Sequence, residues 1–124
     1  MKNDKNTCVS ELKAKLARFV RERDWEQYHS PKNLAMSAAI EAAELMEHFQ
    51  WLTIEESEKA LMDRKVRSEV EDELADIALY ILEFCNMCGL DLSTAVLRKL
   101  KKNAAKYPVR LAKGKSHKYT RYRK

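Results

Sequence analysis

Only two glycines and two prolines interrupt this chain of 124 residues. These residues supply positive φ and fixed turns, so the polypeptide has few means of reversing direction. Long helices with few connections are what such a sequence can form. No alternating apolar–polar run or internal repeat competes with that reading. The length predicts a single domain over residues 1–124, with a core over about 9–108 and a basic tail over 109–124. A chain of this size holds a modest core but is short for a self-sufficient enzyme cleft. No apolar run reaches the roughly 18 residues of a membrane span. No apolar signal-peptide core follows the polar N-terminus either. Cys8, Cys85 and Cys88 do not make a disulfide framework, so a cytoplasmic, reducing setting is expected.

Apolar periodicity predicts a first helix over residues 9–24, capped by Thr7, with Leu12, Leu16, Phe19 and Val20 as its stripe. Ser30-Pro31 is set as cap and first turn of a second helix over 31–51. Thr53-Ile-Glu-Glu56 has the capping-box pattern and opens a further helical stretch, with a break near Met62-Asp63 before a long helix ending at Gly89. Asp91 or Ser93 caps the next helix, which runs to about Lys106 and is stopped by Pro108. Residues 109–124 lack apolar periodicity and are expected to be extended or mobile.

Charge divides the chain unevenly. The net charge is +5, yet residues 98–124 hold twelve Lys and Arg and no acid, whereas residues 1–97 hold twelve basic and all nineteen acidic residues. An acidic helical body therefore carries a basic tail, suited either to nucleic acid or to closing over a polyphosphate.

Two acidic pairs, Glu41/Glu44 and Glu73/Asp76, interrupt strongly apolar segments. A three-residue step puts both members of a pair on one helix face, about 60° apart. Ser37, Glu41, Glu44 and His48 make one polar stripe, and Glu69, Glu73, Asp76 and Tyr80 make another at the same steps. Carboxylates withdrawn from water cost roughly several kcal/mol each and repel one another. A hard divalent cation removes both penalties, and oxygen ligands suit Mg²⁺. Glu55, Glu56, Glu58, Glu69, Glu71 and Asp72 read instead as solvated helix faces. Cys85-Asn-Met-Cys88 reads as core cysteine, and Glu26…His29 lacks the second ExxH motif of a di-iron site. His48 is expected beside the acids rather than as a ligand.

Glu41-Ala-Ala-Glu44 followed by Glu73-Leu-Ala-Asp76 resembles the ExxE…ExxD signature of the MazG-like, all-α nucleoside triphosphate pyrophosphohydrolases. Arg23-Asp-Trp-Glu-Gln-Tyr-His29, Pro31-Lys-Asn-Leu34, His48-Phe-Gln-Trp51, Lys106-Tyr-Pro-Val109 and Lys118-Tyr-Thr120 are similar to the dCTP pyrophosphatase branch. The resemblance covers about residues 12–120. It implies a four-helix MazG-like bundle with an extended basic C-terminal tail. It also implies a Mg²⁺ ion on Glu41, Glu44, Glu73 and Asp76, and cleavage of dCTP or a related deoxynucleotide to monophosphate and pyrophosphate, a nucleotide-pool house-cleaning reaction. Glu41 is the candidate general base, with Glu44 beside it. Trp25, His29 and Trp51 are implied at the base, with Tyr80 against the deoxyribose. Lys99, Asn103 and Tyr107 share one helix face and match positions that contact phosphates or sugar, and Lys118 adds a contact from the tail. Many relatives carry a further Glu where this chain has Ile40, a departure shared with the dCTP pyrophosphatase branch.

The resemblance further implies a homodimer or homotetramer with active sites shared between protomers. A membrane or nucleic-acid partner is not expected. The rival readings are a helical nucleic-acid-binding protein using residues 98–124, and an assembly module whose acidic stripes pair with a basic partner. The first leaves the paired acids unexplained, and the second predicts no stabilisation by Mg²⁺ and a harmless Glu44→Gln.

Overall fold

The computed structural model describes residues 1–123 and is all-α, with no strand among the described residues. Six α-helices follow one another: α1 (Val9–Arg21), α2 (Pro31–Glu47), α3 (Ile54–Ala60), α4 (Arg64–Cys88), α5 (Leu92–Lys106) and α6 (Val109–Ala112). Short 3₁₀ turns cover Glu26–Tyr28 and Tyr119–Tyr122. The chain forms two compact units, one ending at Leu90 and the other beginning at Asp91.

In the first unit α4 is the central rod, packed against α2 and against α1. Its 25 residues contain no glycine or proline, so nothing breaks the backbone ladder. Asp63 starts the helix, its carboxylate accepting from the backbone N–H of Lys65 and Val66. Gly89 ends it in the left-handed conformation (φ 63°, ψ 38°), and the N–H of Leu90 returns to the Cys85 carbonyl at 2.9 Å. Ser30 caps α2 through the N–H of Asn33, with Pro31 in the first turn. Thr53 and Glu56 close a reciprocal capping box on α3.

Val20 from α1, Leu34 from α2, and Val70, Leu82 and Cys85 from α4 are the buried apolar core. Full burial of such a side chain stabilises by roughly 1.5–3 kcal/mol. Two polar ties fix α1 to the end of α4: Lys13 Nζ donates to the Leu90 carbonyl (2.9 Å), and Asn86 Nδ2 donates to the Lys13 carbonyl (3.0 Å).

Four boundaries depart from the sequence reading. Cys8, not Thr7, occupies the cap position of α1 and makes no side-chain cap bond. The first helix stops at Arg21 rather than at residue 24. There the Val20 carbonyl takes the N–H of Trp25 across Asp24, which adopts φ 53°. A short acidic side chain tolerates that conformation better than most. The second helix stops at Glu47 rather than residue 51, because Phe49 and Gln50 both fold back on the Met46 carbonyl ahead of the Thr53 cap.

The basic tail is the fourth correction, since it is not extended. In the second unit α5 begins on Asp91, whose carboxylate accepts from Thr94 N–H at 2.8 Å. Beyond it come α6 and a 3₁₀ turn, and the Tyr107 ring meets Tyr119 and Tyr122 edge-on at 6.2 and 6.3 Å. Lys106 and Arg123 stand over the Tyr119 ring. Aromatic anchors with no helical period therefore fold this segment.

Candidate metal centre and adjoining cavity

Facing polar stripes of α2 and α4 bring carboxylates together. One oxygen each from Glu41, Glu73 and Asp76 lie within 4.8 Å of one another. Glu44, the fourth acid of the motif, is exposed at the rim and acts on both Glu41 and Glu73 by like charge and hydrogen bonding. His48, one turn further along α2, has Nε2 3.9 Å from Glu73 Oε1. The acids are less withdrawn from water than their apolar flanks suggest: Asp76 and Glu44 are exposed, and Glu41 and Glu73 are half-buried. The cluster is open on one side to whatever it binds.

Electrostatic strain marks the cluster. Glu41 titrates above the ordinary carboxylate range, first through loss of water, then through the charges of Glu44, Asp76 and Glu73. Glu73 is raised in the same way, by desolvation first and then by Glu44 and Asp76, with His48 opposing. Oxygen-only donors at this spacing, with mutually repelling charge, fit a hard divalent ion.

Glu41 and Asp76 also line a cavity of about 290 Å³ in the first unit. Trp25, His29, Leu79, Tyr80 and Glu83 line it as well, over a floor from Leu16, Phe19 and Val20. The turn at Asp24 aims Trp25 here, where its ring meets Phe19 edge-on at 5.8 Å. His29 follows from the 3₁₀ turn Glu26–Tyr28. Tyr80 and Glu83 stand four and seven residues beyond Asp76, on the same face of α4. The lining holds three carboxylates and no lysine or arginine.

Glu41, Asp76, Trp25, His29 and Tyr80 thus converge on one cavity. Trp51 is not among its lining residues; it follows α2 and is 86% exposed. Lys99, Asn103, Tyr107 and Lys118 belong to the second unit, where Lys99 and Lys118 are exposed and Tyr107 sits in the tyrosine cluster. Sequence reasoning missed Glu83, which is 3% exposed. Its signal was present: Leu82-Glu-Phe-Cys85 places an acid in an apolar run, two turns beyond Asp76.

An all-α scaffold with an ExxE and an ExxD pair facing each other defines a class of acid-cluster helical proteins, and the comparisons give the class its family. The sequence model of the MazG-like family matches residues 36–121, and the chain belongs to that family. It is 41% identical over 104 residues to dCTP pyrophosphatase 1 of Bos taurus, covering 84% of this chain and 62% of that protein. Against dCTP pyrophosphatase 1 of Homo sapiens the figures are 40%, 84% and 61%. The chain therefore spans about three-fifths of the length of these curated relatives. Among solved structures it is similar to a pyrophosphatase from Archaeoglobus fulgidus, with a TM-score of 0.77 and 41% identity, over 87% of this chain and 99% of that one.

Proposed function

We propose that this protein is a Mg²⁺-dependent nucleoside triphosphate pyrophosphohydrolase that splits dCTP or a related, including modified, deoxynucleotide into monophosphate and pyrophosphate. The observation that carries the reading is the Glu41–Glu73–Asp76 cluster opening into a cavity walled by Trp25 and Tyr80. The pyrophosphatase names of relatives at about 40% identity support it.

Glu41, Glu44, Glu73 and Asp76 would hold the metal, which when bound supplies charge neutralisation for the phosphates and lowers the pKa of water. Phosphoryl-type transfer asks mainly for alignment and electrostatic support. Glu41, with Glu44 beside it, is the proposed proton acceptor for the attacking water. Trp25 offers a ring face to a base, a contact worth roughly 1–3 kcal/mol and tolerant of base identity. Tyr80 stands between the acids and the far end of the cavity, where a sugar would lie. By the family resemblance, Lys99, Asn103, Tyr107 and Lys118 are the residues proposed to contact phosphates or sugar.

Part of the same proposal is a homo-oligomer. Met36, Ile40 and Met46 on α2, Leu74 on α4 and Trp51 are all exposed. Apolar residues so clustered in sequence mark an association surface, and a second protomer would bring Trp51 to a shared site. With all three cysteines free, a cytoplasmic setting completes the reading.

The test is product analysis with Mg²⁺ and each nucleoside triphosphate in turn, with Glu44→Gln alongside. Monophosphate plus pyrophosphate, strongest from dCTP and lost in the variant, is the expected result. No turnover of any nucleotide, modified pyrimidines included, would overturn the reading and favour nucleic-acid binding by residues 98–124.

A further inference from the structure

The cavity holds a buried pair that metal binding and hydrolysis do not use. His29 Nδ1 lies 3.0 Å from Glu83 Oε1, with the Glu83 side chain buried and the His29 ring largely so. The other oxygen, Oε2, accepts from Asn86 Nδ2 at 3.5 Å, while that amide also donates to the Lys13 carbonyl. Oε2 is thus engaged as an acceptor, and Oε1 has the His29 ring nitrogen as its partner. A carboxylate used in this way leaves Nδ1 to supply the hydrogen. In the neutral ring, Nε2 is then a bare acceptor. Nε2 meets no hydrogen-bond partner among the described residues and is not among the buried polar atoms lacking one, so it stays within reach of solvent. The ring carrying it lines the same cavity as Trp25 and Tyr80.

We infer that Glu83 is a specificity-determining positioning residue, which fixes His29 as a hydrogen-bond acceptor toward the base end of the cavity and so selects nucleotides whose base presents an exocyclic amino group. This rests on the nucleotide reading above and deepens it. Glu83 lies seven residues beyond Asp76 on α4, a rise of about 10 Å, so the pair stands away from the proposed metal-holding acids. An amino group donates to Nε2. A keto oxygen at the same position opposes it, acceptor to acceptor, and leaves two polar groups unpaired. An unpaired polar group in the site penalises the wrong base. Cytosine and uracil differ in this respect at position 4, which makes dCTP and dUTP the matched probes.

Glu83→Gln preserves shape but lets the side chain donate to Nδ1, which moves the ring hydrogen to Nε2. The expected result is a fall of roughly tenfold in the dCTP-to-dUTP ratio of kcat/KM, the size of one hydrogen bond between uncharged partners. It should arise through a higher KM for dCTP with kcat little changed. His29→Ala should lower the ratio similarly, and adding Glu83→Gln to it should change nothing further. An unchanged ratio in a destabilised variant, or additive effects of the two substitutions, would overturn the inference by making Glu83 purely structural. Nitrogen-15 NMR of the imidazoles of the unaltered protein, recorded above neutral pH, tests the pair without turnover. The His29 ring should carry its hydrogen on Nδ1 and shift toward the Nε2–H form in Glu83→Gln; an Nε2–H ring in the unaltered protein overturns the assignment. Absence of all nucleotide hydrolysis, with the Nδ1–H ring still seen, would instead remove the enzyme reading and, with it, the assignment of an amino-bearing base as the group selected.

Discussion

At the scale of single residues, Glu41 and Glu73 set the behaviour of the metal-free protein. Both bind their protons more tightly in the folded state than in an unfolded chain, so between the ordinary carboxylate range and their raised values the folded state holds more protons. Stability then falls as pH rises through that window. In chelator, the thermal midpoint should drop from mildly acid toward neutral pH, and a Glu41→Gln/Glu73→Gln double variant should lose that part of the slope. Added Mg²⁺ should raise the midpoint at neutral pH and have little effect once the acids are protonated; scanning fluorimetry across pH reads both. Replacing Glu73 alone by Gln should lower kcat/KM by at least about a hundredfold, a loss of roughly 2.7 kcal/mol of transition-state stabilisation. The acids were legible in the sequence because their three-residue steps interrupt apolar runs. Glu83 interrupts an apolar run in the same way, but a lone acid does not show its partner: His29 meets it only once the Glu26–Tyr28 turn is in place.

Among the elements, α4 carries most of the architecture, and its ends are where single changes act most clearly. Gly89 holds φ 63° with open space around its α-carbon, so Gly89→Ala meets no clash and suffers only from the backbone conformation. The expected loss is about 1–2 kcal/mol by chemical denaturation. Asp63→Ala removes an acceptor shared by two backbone donors and should cost about 1 kcal/mol. Helix starts were readable where a capping side chain declares them, as Ser30, Thr53 and Asp91 do. Helix ends were read less well, because neither Asp24 nor Met46 announces its turn by residue type. The folded tail escaped notice for a related reason: its tyrosines lie twelve and fifteen residues beyond Tyr107, a spacing without helical period.

For the molecule as a whole, the small core and the large exposed apolar side chains have to be considered together. Among the described residues five apolar side chains are buried, whereas Met36, Ile40, Met46, Trp51 and Leu74 remain open to water. A Ile40→Glu variant should sediment as a smaller species than the unaltered chain and melt at lower temperature, as seen by analytical ultracentrifugation and calorimetry. An unaltered chain that is already monomeric at micromolar concentration would count against association. The charge division belongs to this scale too: legible from composition, it placed a basic second unit after an acidic first, yet gave no hint that the basic one folds.

The unbroken rod of α4 has one more consequence. Glu73 and Asp76 sit near its middle, and Glu83 lies two turns on, with no glycine or proline between to let the spacing drift. The helix acts as a caliper: in the proposed reading its near jaw would hold the metal and its far jaw would test the base. A caliper of this kind can be refitted at one jaw alone. If Glu83 acts as inferred, exchanging it would change what is admitted without disturbing the alignment of the acids, because an unbroken helix separates the two ends.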